Sequence, residues 1–385
     1  MPAGSSNSKF GSDGVGLYVH VPFCRTKCRY CAFYSVPVAE YDAVAVVSAM
    51  IAELQQYELG KGIKNLYIGG GSPSCLPQEL LLQLVNRLML RCPSAEEFTV
   101  EVNPGQVNAI LLNELRKAGV NRLSIGAQSF IQQELDFLGR THTVDSIYDS
   151  VRLAEAAGFN NISLDLIFAV PGSTLKIWKH SLQSAIELDV QHISAYALSY
   201  EEGTPLQEVL SKGQVKPTDE ETDRLMYETA IDELDRAGFQ QYEISNFARD
   251  GFQCRHNLNC WENGSYVGIG PAAASYRSGT RSTNYPDIGR FVEAIENGQS
   301  AVAETETLTA LERACETAVL NLRRRCGIDL AEFKTRTGFD ALQLFAAPIR
   351  LYQKQGLINN ENGHVFLTRQ ALAIADSILC DFAVV

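Results

Sequence analysis

Three cysteines, Cys24, Cys28 and Cys31, fall within eight consecutive residues of the run LYVHVPFCRTKCRYCAF (17–33). Two thiols make a disulfide and four ligands close a structural zinc site, so a triplet leaves one coordination position open. Two chemistries answer to that count. One is a [4Fe–4S] cluster held by three thiolates, with one iron free for an exchangeable ligand. The other is zinc, with His20, four residues before Cys24, filling the vacancy. The C-x3-C-x2-C spacing favours the cluster. His20 alternates with Val19 and Val21 on a β-rich run, so its side chain need not face the thiols.

Further along, polar residues follow a series of short β-rich runs. GGGSPS (69–74) supplies Gly70, Gly71 and Ser72, and EVNP (101–104) supplies Glu101. GAQSF (126–130) contains Gln128, LGRTH (138–142) Arg140, and DLIFAVPG (165–172) Asp165. Each has an ordinary reading alone: a helix cap, a satisfied loop or a solvated surface charge. Because each follows a predicted strand in chain order, parallel strands would gather them at one mouth. There, carboxylates can accept from hydroxyl groups, while a glycine-loop backbone and an arginine can hold an anionic group.

The elements that must position these residues are legible. The β-rich runs are LYVHV (17–21), NLYIG (65–69), FTVEV (98–102), RLSIG (122–126), ISLDLIF (162–168) and HISAYAL (192–198). They read as continuously apolar or nearly so, as expected of parallel strands covered on both faces. Amphipathic stretches between them, several ending at glycines such as Gly119 and Gly158, read as helices. Six βα alternations predict an α/β fold, a partial parallel (β/α)6 TIM-like barrel, with a doubly wound open sheet as the rival. The alternation fades after about residue 250. From Thr307 onward, helices flank an Asn/Gly-turned β segment (NNENGHVFLT), as in a small helical, winged-helix-like module. The expected division is a disordered arm (1–16), a core barrel (17–250), a junction (251–306) and a C-terminal module (307–385).

Composition narrows the function classes. The 385 residues carry a formal net charge of −12, with 45% hydrophobic and 20% charged content. Such an acidic chain lacks the basic field that holds nucleic acid, so no nucleic-acid partner is expected. No run of about 18 apolar residues predicts a membrane span. The first 16 residues lack the apolar centre of a secretory signal, so a cytoplasmic location with reduced thiols is expected.

The cysteine triplet on a first strand of an α/β barrel resembles the radical S-adenosylmethionine superfamily. That resemblance implies that the open iron binds the amino and carboxylate groups of S-adenosylmethionine. One electron then breaks the sulfonium bond and releases a 5′-deoxyadenosyl radical. Adding GGGSPS, EVNP, GAQSF, LGRTH, DLIFAVPGST and HNLNCW (256–261), nearly the whole chain resembles the oxygen-independent coproporphyrinogen III oxidase-like group, whose C-terminal module is of the HemN type. By that resemblance Cys24, Cys28 and Cys31 ligate the [4Fe–4S] cluster. Tyr18, Gly70, Gly71, Ser72, Glu101, Gln128, Arg140 and Asp165 contact S-adenosylmethionine. The true oxidases carry a further cysteine two residues after the triplet and a longer N-terminal region. Here Phe33 occupies that position and the N-terminal arm is short. Both features match the shorter, haem-chaperone branch and argue against porphyrinogen decarboxylation. In that branch haem binding is attributed to an H-N-x-x-Y-W motif. HNLNCW keeps the histidine as His256 but has Cys260 in place of the tyrosine. His256 is thus the expected haem contact, with Cys254 and Cys260 nearby. The implied function is a haem chaperone with haem and haem-accepting proteins as partners, and an electron donor such as flavodoxin or ferredoxin. The rivals are a radical enzyme of porphyrin metabolism, similar to coproporphyrinogen dehydrogenase, and a structural zinc protein.

Overall fold

The computed structural model describes residues 15–59 and 62–383. Of the arm expected over 1–16, residues 1–14 lie outside the described residues, and Val15 and Gly16 already belong to the first strand.

Six strands coincide with the expected runs: β1 (Val15–Val21), β2 (Ile63–Gly70), β3 (Glu97–Val102), β4 (Arg122–Gln128), β5 (Ile162–Phe168) and β6 (His192–Ala197). Six more follow: β7 (Gln240–Gln241), β8 (Asn246–Ala248), β9 (Tyr266–Ile269), β10 (Ala274–Arg277), β11 (Thr280–Asn284) and β12 (Val302–Thr307). All twelve join one sheet in the order β12-β11-β10-β9-β1-β2-β3-β4-β5-β6-β8-β7. From β9 through β1 to β6 the pairing is parallel, and antiparallel strands extend both ends. The stretch 251–306 therefore adds a seventh parallel strand, β9, on the far side of β1, followed by a β10–β12 meander. β12 is an edge strand whose residues from Ala303 to Thr307 are exposed.

Helices cross between the parallel strands: α1 (Ala43–Gln56), α2 (Gln78–Arg91), α3 (Ala109–Lys117), α4 (Gln132–Leu138), α5 (Val144–Ala156) and α6 (Leu175–Glu187). Two more, α7 (Pro205–Ser211) and α8 (Glu220–Arg236), follow β6. Asp42, Asn108, Thr143, Thr174 and Asp219 cap five of these helices through side-chain oxygens, satisfying amides that the first turn leaves free.

The strands alternate more strictly than the expectation of apolar runs covered on both faces. Leu17, Val19, Leu66, Ile68, Val100, Leu123, Ile125, Leu164 and Ile193 enter the hydrophobic core with the helices. Their neighbours Tyr18, His20, Tyr67, Glu101, Ser124, Asp165 and Ser194 hydrogen-bond one another on the opposite face. Both faces are buried, but one is a polar lumen. The period of two, with apolar side chains outward and polar ones inward, follows from the alternation of Cβ directions along a strand.

Beyond β8 come α9 (Arg255–Trp261), α10 (Ile288–Glu296) and α11 (Ala310–Leu322), the last opened by a Thr309–Glu312 capping box. The C-terminal module continues with β13 (Ile328–Asp329), α12 (Leu330–Thr337), α13 (Ala341–Leu344), α14 (Ala346–Lys354), β14 (Ile358–Glu361), β15 (His364–Leu367) and α15 (Ala375–Ala383). β15 pairs antiparallel with both β13 and β14, and the hairpin turns at Asn362 and Gly363, both at positive φ. Phe333, Phe345 and Phe382 pack edge-on and tilted beneath it. The molecule is thus a partial α/β barrel carrying a small winged-helix-like module.

Candidate cofactor site at the barrel mouth

The cysteine loop leaves the C-terminal end of β1, where Phe23–Cys24 pairs in parallel with Val36–Pro37. Its backbone is clasped from three sides. Val36 N donates to Pro22 O (2.8 Å), Arg29 N to Leu138 O at the end of α4 (3.1 Å), and Leu206 N of α7 to Arg29 O (2.9 Å). Tyr30 packs against a small apolar cluster of Leu138, Ile167, Val170, Leu198 and Leu206. Cys24, Cys28 and Cys31 are free thiols, each half-buried. Burial pushes the Cys24 and Cys31 thiols up, and the negative charge of the neighbouring cysteines adds to it. A metal that binds here therefore displaces protons.

His20, weighed as a fourth ligand, is spoken for. Its Nε2 donates to Tyr34 O (2.8 Å), which leaves Nδ1 to accept from the Tyr18 hydroxyl (3.1 Å). Among the described residues no three His, Cys, Asp or Glu side chains converge as ligands of a single ion do. Three thiols spread around a half-buried loop suit a cluster with several metal atoms better than a lone tetrahedral ion.

The glycine loop lies directly against the cysteine loop. Gly71 N donates to Val21 O (2.8 Å) and Ser72 N to Phe23 O (2.6 Å). A Cβ on Gly71 would lie 2.3 Å from Phe23 O, and one on Gly70, at φ 105°, would lie 2.6 Å from His20 Nδ1. Only glycine permits this approach. The buried Ser72 hydroxyl donates to Gln106 Oε1 (2.8 Å) and accepts from Asn103 Nδ2 (2.8 Å). Arg140 then donates through Nη2 to Asn103 Oδ1 (2.5 Å) and Gly126 O (2.9 Å), and through Nη1 to Cys28 Sγ (3.5 Å). Ser72, Asn103, Arg140 and Cys28 thus form one chain of contacts. Asn103 and Ser74, which donates to the same Gln106 oxygen (2.9 Å), were not singled out from the sequence. Their signal was present, since they stand inside EVNP and GGGSPS. Gln106 had none.

Glu101 projects inward at the root of the glycine loop, and Asp165 into the lumen just below. Glu101 lies against Gly69 and accepts from the Tyr67 hydroxyl (2.7 Å). Withdrawal from water, with a smaller push from the Asp165 charge, raises its pKa to about 7. Burial also raises Asp165, which accepts from Ser194 (2.7 Å) and Ser124 (3.2 Å). Gln128 is buried at positive φ (65°), where the β4–β5 register shifts. This bulge turns its amide toward Asn103 and Arg140, all three crowding the position a Gly126 Cβ would take. The structure therefore gathers Gly70, Gly71, Ser72, Glu101, Gln128, Arg140 and the three cysteines around the C-terminal mouth. Tyr18 and Asp165 line the lumen beneath.

His256 lies elsewhere. It sits on α9, which leads into the N-terminal end of β9 and closes the opposite end of the barrel. Glu97, at the start of β3, accepts from Arg255 N (3.0 Å) and His256 N (3.4 Å) and fixes the start of this helix. The imidazole is 9% exposed, with Nδ1 on Asn65 Oδ1 (3.1 Å) and Nε2 beside Cys260 Sγ (3.9 Å). Its ring centroid is 4.8 Å from that of Tyr67 and 5.8 Å from that of Tyr18. Burial, with help from the Arg122 charge, lowers its pKa to about 4, so the ring is neutral. Arg122 itself is a fully buried guanidinium whose Nε has no partner. A cavity of about 670 Å3 lies away from both sites, between the barrel and the C-terminal module. Phe168, Tyr227, Ile244 and Leu372 line it, and carboxylates outnumber guanidiniums at its edge, which disfavours an anionic ligand.

A three-thiol loop on the first strand of a partial α/β barrel defines a radical S-adenosylmethionine protein. Residues 18–185 match the Radical SAM superfamily and residues 308–374 the HemN C-terminal domain. The chain is 35% identical over 376 residues to the heme chaperone HemW of Bacillus subtilis (strain 168), covering 95% of this chain and 98% of that one. It is 38% identical over 272 residues to the heme chaperone HemW of Escherichia coli (strain K12), covering 67% of this chain and 69% of that one. The solved structure of coproporphyrinogen III oxidase (HemN) from Escherichia coli shares the fold. Its TM-score is 0.84 at 20% identity, over 98% of this chain and 92% of that one. The chain belongs to the HemW family. Membership in the radical SAM superfamily implies a [4Fe–4S] cluster and S-adenosylmethionine. The free thiols, the close glycine approach and the Arg140–Cys28 contact fit both groups. No helix among the described residues is long and apolar enough to cross a membrane.

Proposed function

We propose that this protein is a haem chaperone of the cytoplasm that binds a [4Fe–4S] cluster and S-adenosylmethionine at the barrel mouth and passes haem to acceptor proteins. The observation that carries this reading is the similarity, along almost the full length of both chains, to a protein named heme chaperone HemW. Phe33, 69% exposed at the lip of the cysteine loop, supports it, because the true oxidases carry a cysteine there. When bound, the cluster supplies an electron at low potential to a ligand on its open iron. An outside donor of the flavodoxin or ferredoxin class would restore that electron.

In this reading Cys24, Cys28 and Cys31 hold the cluster. Gly70, Gly71 and Ser72 present backbone to the methionine end of S-adenosylmethionine, and Arg140 and Gln128 orient its polar groups. Glu101 and Asp165 accept from hydroxyl or amino groups of the nucleoside, while Tyr18 packs below. Glu101 gives this assignment a pH signature. Its carboxyl is neutral well below pH 7 and ionised above, and an ionised acceptor bonds more strongly. S-adenosylmethionine binding should strengthen by roughly fivefold as pH rises through 7, from one charge-assisted hydrogen bond. Glu101→Gln, which can still accept from Tyr67, should flatten that dependence. Calorimetric titration between pH 6 and 8.5 checks it, and an unchanged slope in the variant removes Glu101 from the site.

The function is tested by anaerobic reconstitution, haem titration and mixing with a haem-depleted haemoprotein. Uptake with a Soret band, followed by transfer of that band to the acceptor, is the expected outcome. Failure to take up haem, with 5′-deoxyadenosine formed only when a porphyrinogen is supplied, would instead indicate a radical enzyme of porphyrin metabolism.

A further inference from the structure

A haem iron needs an imidazole nitrogen facing open space, and the structure gives His256 none. One ring nitrogen faces Asn65, the other faces Cys260, and the ring packs beside two tyrosines at the closed end of the barrel. We infer that His256 is a positioning residue for the S-adenosylmethionine site and not a haem ligand. The claim rests on reading the barrel mouth as that site, and it stands whether or not haem binds elsewhere on the chain.

Two lines of contact lead from His256 to the mouth. The first runs through Tyr67, whose ring packs on the imidazole and whose hydroxyl donates to Glu101 Oε1 at 2.7 Å. Glu101 in turn lies against Gly69, at the root of the glycine loop. The second runs through Tyr18, stacked on His256 at an interplanar angle of 21°. The Tyr18 hydroxyl donates to His20 Nδ1 (3.1 Å), and His20 Nε2 donates to the carbonyl of Tyr34 (2.8 Å), three residues past Cys31. The carbonyl can only accept, so both bonds in this line run in one direction. The His20 ring also fills the space beneath Gly70. α9 is pinned from below by the two amide bonds to Glu97, so the imidazole is a fixed stop against which Tyr18 and Tyr67 are packed. Removing it frees both rings and, through their hydroxyls, loosens Glu101 and the far side of the cysteine loop.

The test uses the full chain, reconstituted anaerobically, with His256→Ala and His256→Phe. S-adenosylmethionine affinity is measured by calorimetry and by the change it causes in the EPR spectrum of the reduced cluster. Haem is titrated in parallel, recording the Soret maximum and the ferric EPR g-values. His256→Ala should weaken S-adenosylmethionine binding about tenfold, the lower end of what outer partners of a metal site contribute. His256→Phe restores a ring for Tyr18 and Tyr67 to pack on, cannot ligate iron, and should recover most of that loss. Both variants should leave the haem spectra as in the parent. Unchanged S-adenosylmethionine affinity in His256→Ala overturns the inference, as does a shifted haem spectrum in His256→Phe. If the alanine variant fails to fold, His256→Leu, which offers no ring face to Tyr18 and Tyr67, takes its place, and unchanged S-adenosylmethionine affinity there overturns the inference. If the parent takes up no haem, the chaperone reading falls, and the S-adenosylmethionine arm still decides the role of His256.

Discussion

Alanine at Cys24, Cys28 or Cys31 should give a chain that folds but retains almost no iron or sulfide after anaerobic reconstitution. Folding is expected to survive because the loop is held by backbone bonds to Pro22, Leu138 and Leu206 and by Tyr30 in its apolar cluster, none of which involves a thiol. Cys28→Ala gives up one contact from Arg140, which keeps its bonds to Asn103 and Gly126, and changes at such half-buried positions cost about 1 kcal/mol. Cluster retention has no such redundancy. In that assignment three thiolates are the whole protein contribution, and His20 cannot substitute, since it is bonded at both nitrogens. Iron and sulfide analysis with thermal melts separates the two effects. A single-cysteine variant that kept full iron content, or a parent chain that loaded zinc without sulfide, would contradict the assignment.

Gly71→Ala should damage both stability and S-adenosylmethionine binding. The added methyl would meet Phe23 O at 2.3 Å and Phe23 C at 2.8 Å, both backbone atoms that cannot swing aside. Flanking bonds from Gly71 N to Val21 O and Ser72 N to Phe23 O hold the two segments at that spacing. Relief requires parting the glycine loop from the cysteine loop, at about 3 kcal/mol, the upper range for overpacking. Cluster and S-adenosylmethionine would then sit in a widened cleft, so affinity should fall along with stability. Gly158→Ala provides the comparison. That glycine is also strained for a side chain, at φ 86°, yet a Cβ there meets nothing within 4 Å. It should cost only about 1 kcal/mol and leave binding unchanged. Urea denaturation of both variants, with S-adenosylmethionine titration, tests the contrast; equal midpoints would mean the two loops are not clasped.

Much of this was visible in the residue order because the barrel's chemistry is local to strand ends. Cys24, Glu101, Gln128 and Asp165 each stand within or just after a β-rich run, and parallel pairing brings such positions to one rim. The alternation inside those runs was also there, in Tyr18 and His20 against Val19 and Val21, but a buried polar face resembles a buried apolar one when runs are judged by hydrophobic content. β9 to β11 were missed for a different reason. β9 (YVGI) is only four residues long, and β10 and β11 are short and rich in Ser, Thr, Tyr and Arg, so only their neighbours in the sheet define them. The position of His256 could not be read locally. A seven-residue helix carries no statement of which end of a barrel it covers, and the decisive contacts come from Asn65 and Glu97, more than 150 residues earlier. Asn362 and Gly363, by contrast, announce their hairpin in two letters.

The outermost strand of the large sheet has a bearing on how the molecule behaves among its own copies. Among the described residues no strand pairs with the outer edge of β12 (Val302–Thr307), a template on which another chain could add itself. Its sequence, VAETET, places Glu304 and Glu306 along that edge. A second β12 arriving antiparallel with Thr305 opposite Thr305 would set Glu304 opposite Glu306, and like charges directly facing across a ladder repel, offset in part by Arg281, which bridges to Glu306. Among the described residues the sheet ends at β12, and self-addition in that register is discouraged by repulsion.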